Sequence, residues 1–121
     1  MNKLKDNLTR FVDLDGHICW RNENGQFHHP ELPAIEYLSG EKFWYFNGNL
    51  SREDGPAVIS GDSEEWWLHG KLHRIGGPAL ILPDKYIWYI ENKRYTAEEY
   101  IEKLISLGLT KEVESSLWFL A

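Results

Sequence analysis

A unit of 22 to 23 residues recurs through the middle of this chain. Gly25, Gly48 and Gly70 each precede a proline by eight residues (Pro33, Pro56 and Pro78), and each proline leads into Ala34, Ala57 or Ala79 and then an aliphatic residue. One more step of 22 from Gly70 reaches Asn92. A fixed period of this length marks one supersecondary unit copied along the chain, each copy stacking on its neighbour to bury what it cannot bury alone. That constraint removes most globular topologies before any single residue is weighed.

The chemistry of one unit is readable. Aromatic, strand-favouring residues run into Asn24-Gly25, Asn47-Gly48 or His69-Gly70. Asn-Gly between such runs predicts a two-residue hairpin loop, because a type I′ turn needs positive φ at both central positions. A second strand follows, then a break such as Glu53-Asp54-Gly55-Pro56, and Ala57-Val58-Ile59 opens the next strand. Ser39-Gly40, Gly61-Asp62 and Pro83-Asp84 supply the opposite turns. Trp20 stands one residue early relative to Trp44 and Trp66, which predicts an insertion or bulge before the first turn. Upstream, residues 8–20 read as a half-unit that starts the sheet.

After Tyr95 the apolar period lengthens from 2 to about 3.6. Thr96-Ala97-Glu98-Glu99 reads as a capping box, with Tyr100, Ile101, Leu104 and Ile105 as the apolar stripe and Gly108 as the stop. A second helix is expected from Thr110, using Val113, Leu117 and Leu120. The expected fold is therefore mainly β: an antiparallel β-meander of repeated hairpins in a single sheet over 8–95, closed by an α-helical cap over 96–120. The whole forms one domain, 1–121.

Gly70-Lys71-Leu72-His73-Arg74-Ile75-Gly76, after an aromatic-rich strand, resembles the MORN repeat. More closely it is similar to a variant of that repeat from bacterial and phage proteins, Trp-x-x-Asn-Gly-Lys-Leu-His-Arg-x-Asp-Gly-Pro-Ala. Residues 44–57 match it with Ser51 in the His place, and 66–79 match with Gly76 in the Asp place. Residues 21–34 match loosely, and the likeness covers about 20–95. The resemblance implies an interaction surface, and it makes an inhibitor or antitoxin acting on a bacterial toxin, defence or CRISPR-type effector a special case.

Composition narrows the partner. With 13 basic and 19 acidic residues the net charge is −6, which disfavours phosphate backbones and anionic lipid, so neither nucleic acid nor membrane is expected. Lysines and arginines interrupt the acidic residues, which argues against DNA mimicry. No apolar run approaches the roughly 20 residues of a spanning helix. The first residues carry charge with no apolar stretch after them, so no secretory signal is expected. The single Cys19, read as a small buried hydrophobe, cannot form an internal disulfide, and a cytoplasmic setting is expected.

Seventeen aromatic residues must be placed. Alternation puts Trp44 and Phe46 on one face of a strand and Phe43 and Tyr45 on the other. Both faces are thus apolar at the centre, and two short helices cannot cover them. The expectation is an aromatic-lined face that binds another protein through Trp44, Tyr45, Phe46, Trp66, Trp88 and Tyr89, with self-curling of the sheet or homo-oligomerisation as alternatives. A second functional reading is a small-ligand or nucleotide binder using the repeated Arg52, Arg74, His28 and His73. The structural reading of those four is a fork holding a neighbouring loop and a histidine bonded to one. His69 and His73 are four apart across a turn, not along a helix, so no metal site is expected, nor any cofactor. No phosphate loop, nucleophile elbow or triad spacing is present, so the chain is not expected to be an enzyme.

Overall fold

The structure, a computed structural model, describes residues 7–121. Residues 1–6, the start of the stretch expected to lack a secretory signal, lie outside them. The strands are β1 (Thr9–Val12), β2 (Ile18–Arg21), β3 (Ile35–Glu36), β4 (Lys42–Phe43), β5 (Tyr45–Phe46), β6 (Asn49–Leu50) and β7 (Val58–Ser60). They continue as β8 (Ser63–Glu65), β9 (Trp67–Leu68), β10 (Lys71–Leu72), β11 (Leu80–Leu82), β12 (Lys85–Ile90) and β13 (Lys93–Tyr95). Helices α1 (Ala97–Ser106) and α2 (Thr110–Leu117) follow, with a final 3₁₀ turn over Trp118–Leu120. Among these residues no helix is long and apolar enough to cross a membrane.

The meander and its helical cap are as expected, with one refinement. A nine-stranded antiparallel sheet runs β1-β2-β3-β4-β7-β8-β11-β12-β13, while β5-β6 and β9-β10 pair as separate hairpins. The strands crease at the unit tryptophans. Trp44 N–H donates to Ala57 O in the main sheet, while Trp44 O accepts from Ser51 N in the hairpin. Trp66 repeats this with Ala79 and His73, and Trp20 with Ala34 and His28. One residue thus belongs to two layers, and the excursion over 53–56 connects its two partners. The hairpins are also joined to each other, two bonds per step: His29 N to Tyr45 O and Gly48 N to Phe27 O, then Arg52 N to Trp67 O and Gly70 N to Leu50 O. Arg74 N to Tyr89 O and Asn92 N to Leu72 O complete the second layer.

The arginine of each unit holds the crease. Arg52 Cζ lies 3.8 Å from the Trp44 ring centroid, and Arg74 Cζ lies 3.7 Å from that of Trp66. Each guanidinium donates from Nη1 to a carbonyl of its own loop, Arg52 to Pro56 O at 3.0 Å and Arg74 to Pro78 O at 3.2 Å. The glycine before each proline leaves room for this contact. A Cβ on Gly55 would come within 2.8 Å of Arg52 Cζ, and one on Gly77 within 2.7 Å of Arg74 Cζ. Ala34, Ala57 and Ala79 are fully buried beside the tryptophans. In the first unit His29 replaces the arginine, its ring 4.7 Å from that of Trp20, and Leu32 then stands where Gly55 and Gly77 stand. With no guanidinium to clear, the glycine is not needed.

A second device links successive hairpin turns. His28 Nδ1 accepts from Asn47 N at 2.8 Å, Ser51 Oγ from His69 N at 3.0 Å, and His73 Nδ1 from Glu91 N at 3.0 Å. Each recipient is the positive-φ residue that begins the next turn (φ 46°, 52° and 46°), followed by Gly48, Gly70 or Asn92, also at positive φ. These are the type I′ turns expected. The first turn differs: Asn22 N donates to Gln26 O, so its loop has three residues, of which Gly25 has positive φ (80°). The early Trp20 signalled that extra residue.

The cap closes the last unit. Thr96 and Glu99 form the capping box, and Tyr100 and Leu104 are buried with Trp88, the Trp88 and Tyr100 rings 4.7 Å apart. The Tyr100 hydroxyl donates to Arg74 O at 2.8 Å and accepts from Gly76 N at 2.9 Å, and Ser115 Oγ donates to Gly76 O. Two expectations for the cap are corrected. Ile105 is exposed, and so are Leu117 and Leu120; Phe119 packs inward instead. Within α2 the inward place is taken by Ser116 and not Leu117, and the 3₁₀ turn from Trp118 then carries Phe119 inward in place of Leu120.

Two outcomes follow for stability. Gly77→Ala should destabilise the fold by about 1–3 kcal/mol, since it overpacks against a held guanidinium. Arg74→Ala alone should cost about as much through lost stacking and a lost charged hydrogen bond. Urea unfolding of both and of the double variant should show strong non-additivity, the Gly77→Ala cost shrinking once Arg74 is gone. The second concerns pH. Burial pushes His73 below the ordinary histidine value, opposed by the nearby Glu91 carboxylate. The folded state therefore binds fewer protons there than the unfolded chain. That contribution is full above about pH 6.5 and is lost as pH falls through the lowered folded value. The urea midpoint should drop between pH 7 and pH 5, and His73→Ser, the choice made at Ser51, should flatten that slope.

Candidate partner-binding face

The two layers place four cross-strand pairs side by side on one face of the hairpin layer. They are Arg21 opposite Phe27, Tyr45 opposite Leu50, Trp67 opposite Leu72 and Tyr89 opposite Arg94. Directly opposed residues share a face, and the inter-hairpin bonds set the pairs in that order. The rings of Phe27 and Tyr45 touch across the first junction, 5.6 Å apart. The result is a strip of rings and leucines with an arginine at each end. Its members are half-buried, and Arg94 is exposed.

The strip is held in place from within. Trp67 Nε1 donates to Glu65 Oε1 at 2.8 Å, which fixes the indole against the main sheet. The Arg21 guanidinium lies 5.0 Å from the Phe11 ring centroid and 4.7 Å from that of Phe27, and Nη1 donates to Gly25 O at 3.4 Å. Arg21 Nε is buried without a hydrogen-bond partner among the described residues. Burial pushes the Tyr45 hydroxyl above the usual tyrosine range, so it stays a neutral donor near pH 7. Neither Arg21 nor Arg94 pairs with a carboxylate among the described residues.

The residues singled out from sequence divide between the two faces. Tyr45 and Tyr89 lie on the strip. Trp44, Phe46, Trp66 and Trp88 lie on the opposite face, where Trp44 (9% exposed) sits under Arg52 and Trp88 (4%) under Tyr100. Trp66 is half-buried beneath Arg74, its Nε1 without a partner among the described residues. Phe46 alone among these is exposed (48%), at the wall of an open cleft of about 480 Å³ shared with Trp44, His29, Arg52 and His69. Arg52, Arg74, His28 and His73 face the same way, each holding a loop or turn of its own chain. Arg52, His73 and Arg74 also line one open cleft of about 190 Å³ with Trp66 and Leu68, and His28 lies outside it.

Phe27, Leu50, Trp67, Leu72 and the two terminal arginines were not singled out from sequence. The parity of Tyr45 and Tyr89 carried the signal, since Trp67 lies one step of 22 from each. Sequence reading also passed over Asp13, Asp15 and His17, whose ligand atoms lie within 4.8 Å of one another. The Asp13 carboxylate there organises a turn, accepting from Asp15 N and His17 N, and the His17 amide foremost holds it below the usual carboxylate range. No protein-family model, curated protein or solved structure matches the chain.

Proposed function

We propose that this chain is a non-catalytic interaction module that binds another protein through the aromatic face of its hairpin layer. The observation that carries this reading is the row Tyr45, Trp67 and Tyr89, one ring per unit on a shared face, each partly open to solvent. Large rings held rigidly in a row lose little conformational freedom on binding, and such residues dominate the energy of protein interfaces. The polar groups that would serve a small-ligand or nucleotide site (Arg52, Arg74, His28 and His73) are engaged in holding the fold, which weighs against that alternative.

The resemblance of residues 44–57 and 66–79 to MORN-like variant repeats supports the same reading. An inhibitor or antitoxin acting on a bacterial effector is its special case, and a second copy of the chain is a competing occupant of the face. The test is affinity capture of the tagged chain from lysate of its host cell, with a Tyr45→Ala/Trp67→Ala double variant as control. A stoichiometric protein should come down with the wild type and be lost from the variant. Each truncation should cost about 1–3 kcal/mol of affinity when measured on the purified pair. Retention by a variant whose circular dichroism is unchanged, with affinity intact, would overturn the proposal.

A further inference from the structure

The binding face carries its own description of what fits it. Taking the reading just given as its basis, we infer that the occupant is an extended peptide segment of the partner, about ten residues long, acidic at both ends and apolar between.

Geometry sets the length. The strip crosses eight strands from Arg21 to Arg94, and strands lie about 4.8 Å apart, so it runs for roughly 34 Å. A chain extended at about 3.3 Å per residue covers that in roughly ten residues. Tyr45, Trp67 and Tyr89 recur every second strand, about 9.6 Å, which is close to the roughly 9.3 Å spanned by one three-residue turn of an extended polyproline II segment. In that conformation every third side chain returns to the same face, so bulky apolar side chains at every third position of the segment meet successive rings. A helix suits the strip poorly. Adjacent strands rotate by about 20–25°, so successive rings turn by roughly 40–50° and a straight rod cannot meet them all.

Charge sets the ends. Arg21 is pinned between Phe11 and Phe27, and among the described residues neither it nor the exposed Arg94 has a carboxylate paired to it. Between them the strip offers Phe27, Tyr45, Leu50, Trp67, Leu72 and Tyr89, none of them charged. The Glu65 carboxylate beside the strip accepts from the Trp67 indole. A protein of net charge −6 that keeps its carboxylates off this strip and an arginine at each end of it favours an acidic guest at those two points alone.

Panning a random peptide display library against the whole chain tests this. Enriched sequences should carry Asp or Glu about ten residues apart, with bulky apolar residues at three-residue steps between. Arg94→Glu, at an exposed position, should weaken such peptides at least tenfold, and lysine in place of the matching acidic end should restore binding. Enrichment of basic or neutral-ended sequences, indifference to Arg94→Glu, or no enrichment would each overturn the inference. Trp67→Ala separates this failure from that of the face itself. Neutral-ended peptides lost with Trp67→Ala would leave the face standing, whereas peptides indifferent to it would sink both.

Discussion

The two middle units of this fold hang on a guanidinium set over an indole. A strand that serves two layers must bend, and its bend leaves a tryptophan, an alanine and a loop of backbone to be packed without a conventional core. Arg52 and Arg74 solve this in one move, covering the Trp44 and Trp66 rings and returning a hydrogen bond to the loop carbonyls of Pro56 and Pro78. Cation–π contact contributes about 0.5–2 kcal/mol and a charged hydrogen bond about 1.5–3, so each latch matters on the scale of a small domain's stability. At the last unit Tyr100 does the equivalent work on Trp88, which is how the helical cap becomes part of the array.

This latch explains what the sequence made legible. The Gly-Pro-Ala signature was visible as a period, and the structure supplies its cause: Gly55 and Gly77 make room for an arginine, and Ala57 and Ala79 fit beneath a tryptophan. The type I′ turns at Asn47-Gly48 and His69-Gly70, and the capping box at Thr96 and Glu99, follow local rules and were readable for that reason. The crease was not. Alternation runs unbroken from Phe43 through Trp44 to Tyr45, so nothing local announces that the residues on either side pair with different partners. Nor could the period tell which aromatic rings the chain covers itself, since that depends on a stacking contact eight residues away. Trp44 and Trp88 were read as accessible and are buried, while Trp67 and Phe27 were passed over and line the strip.

The two faces consequently do different jobs. One is consumed by construction: tryptophans, latching arginines, the loop histidines and the cap all meet there. The other needs only β-pairing to exist and carries side chains that the fold does not use up. Separation of this kind lets a repeat protein vary its recognition residues while the residues that set its period stay fixed.

The hairpin staples also give the array a direction. In every case the acceptor belongs to the earlier unit and the strained turn amide to the later one: His28 serves Asn47, Ser51 serves His69 and His73 serves Glu91. For the turn amides, support therefore runs one way along the chain, while the backbone bonds from Arg52 N to Trp67 O and from Arg74 N to Tyr89 O tie the units in the other sense. A unit removed from the far end leaves no turn amide of the remaining units orphaned, whereas one removed from the near end strips its successor of support. Translation proceeds in the same sense, so the residue that anchors each turn is synthesised before the turn it holds.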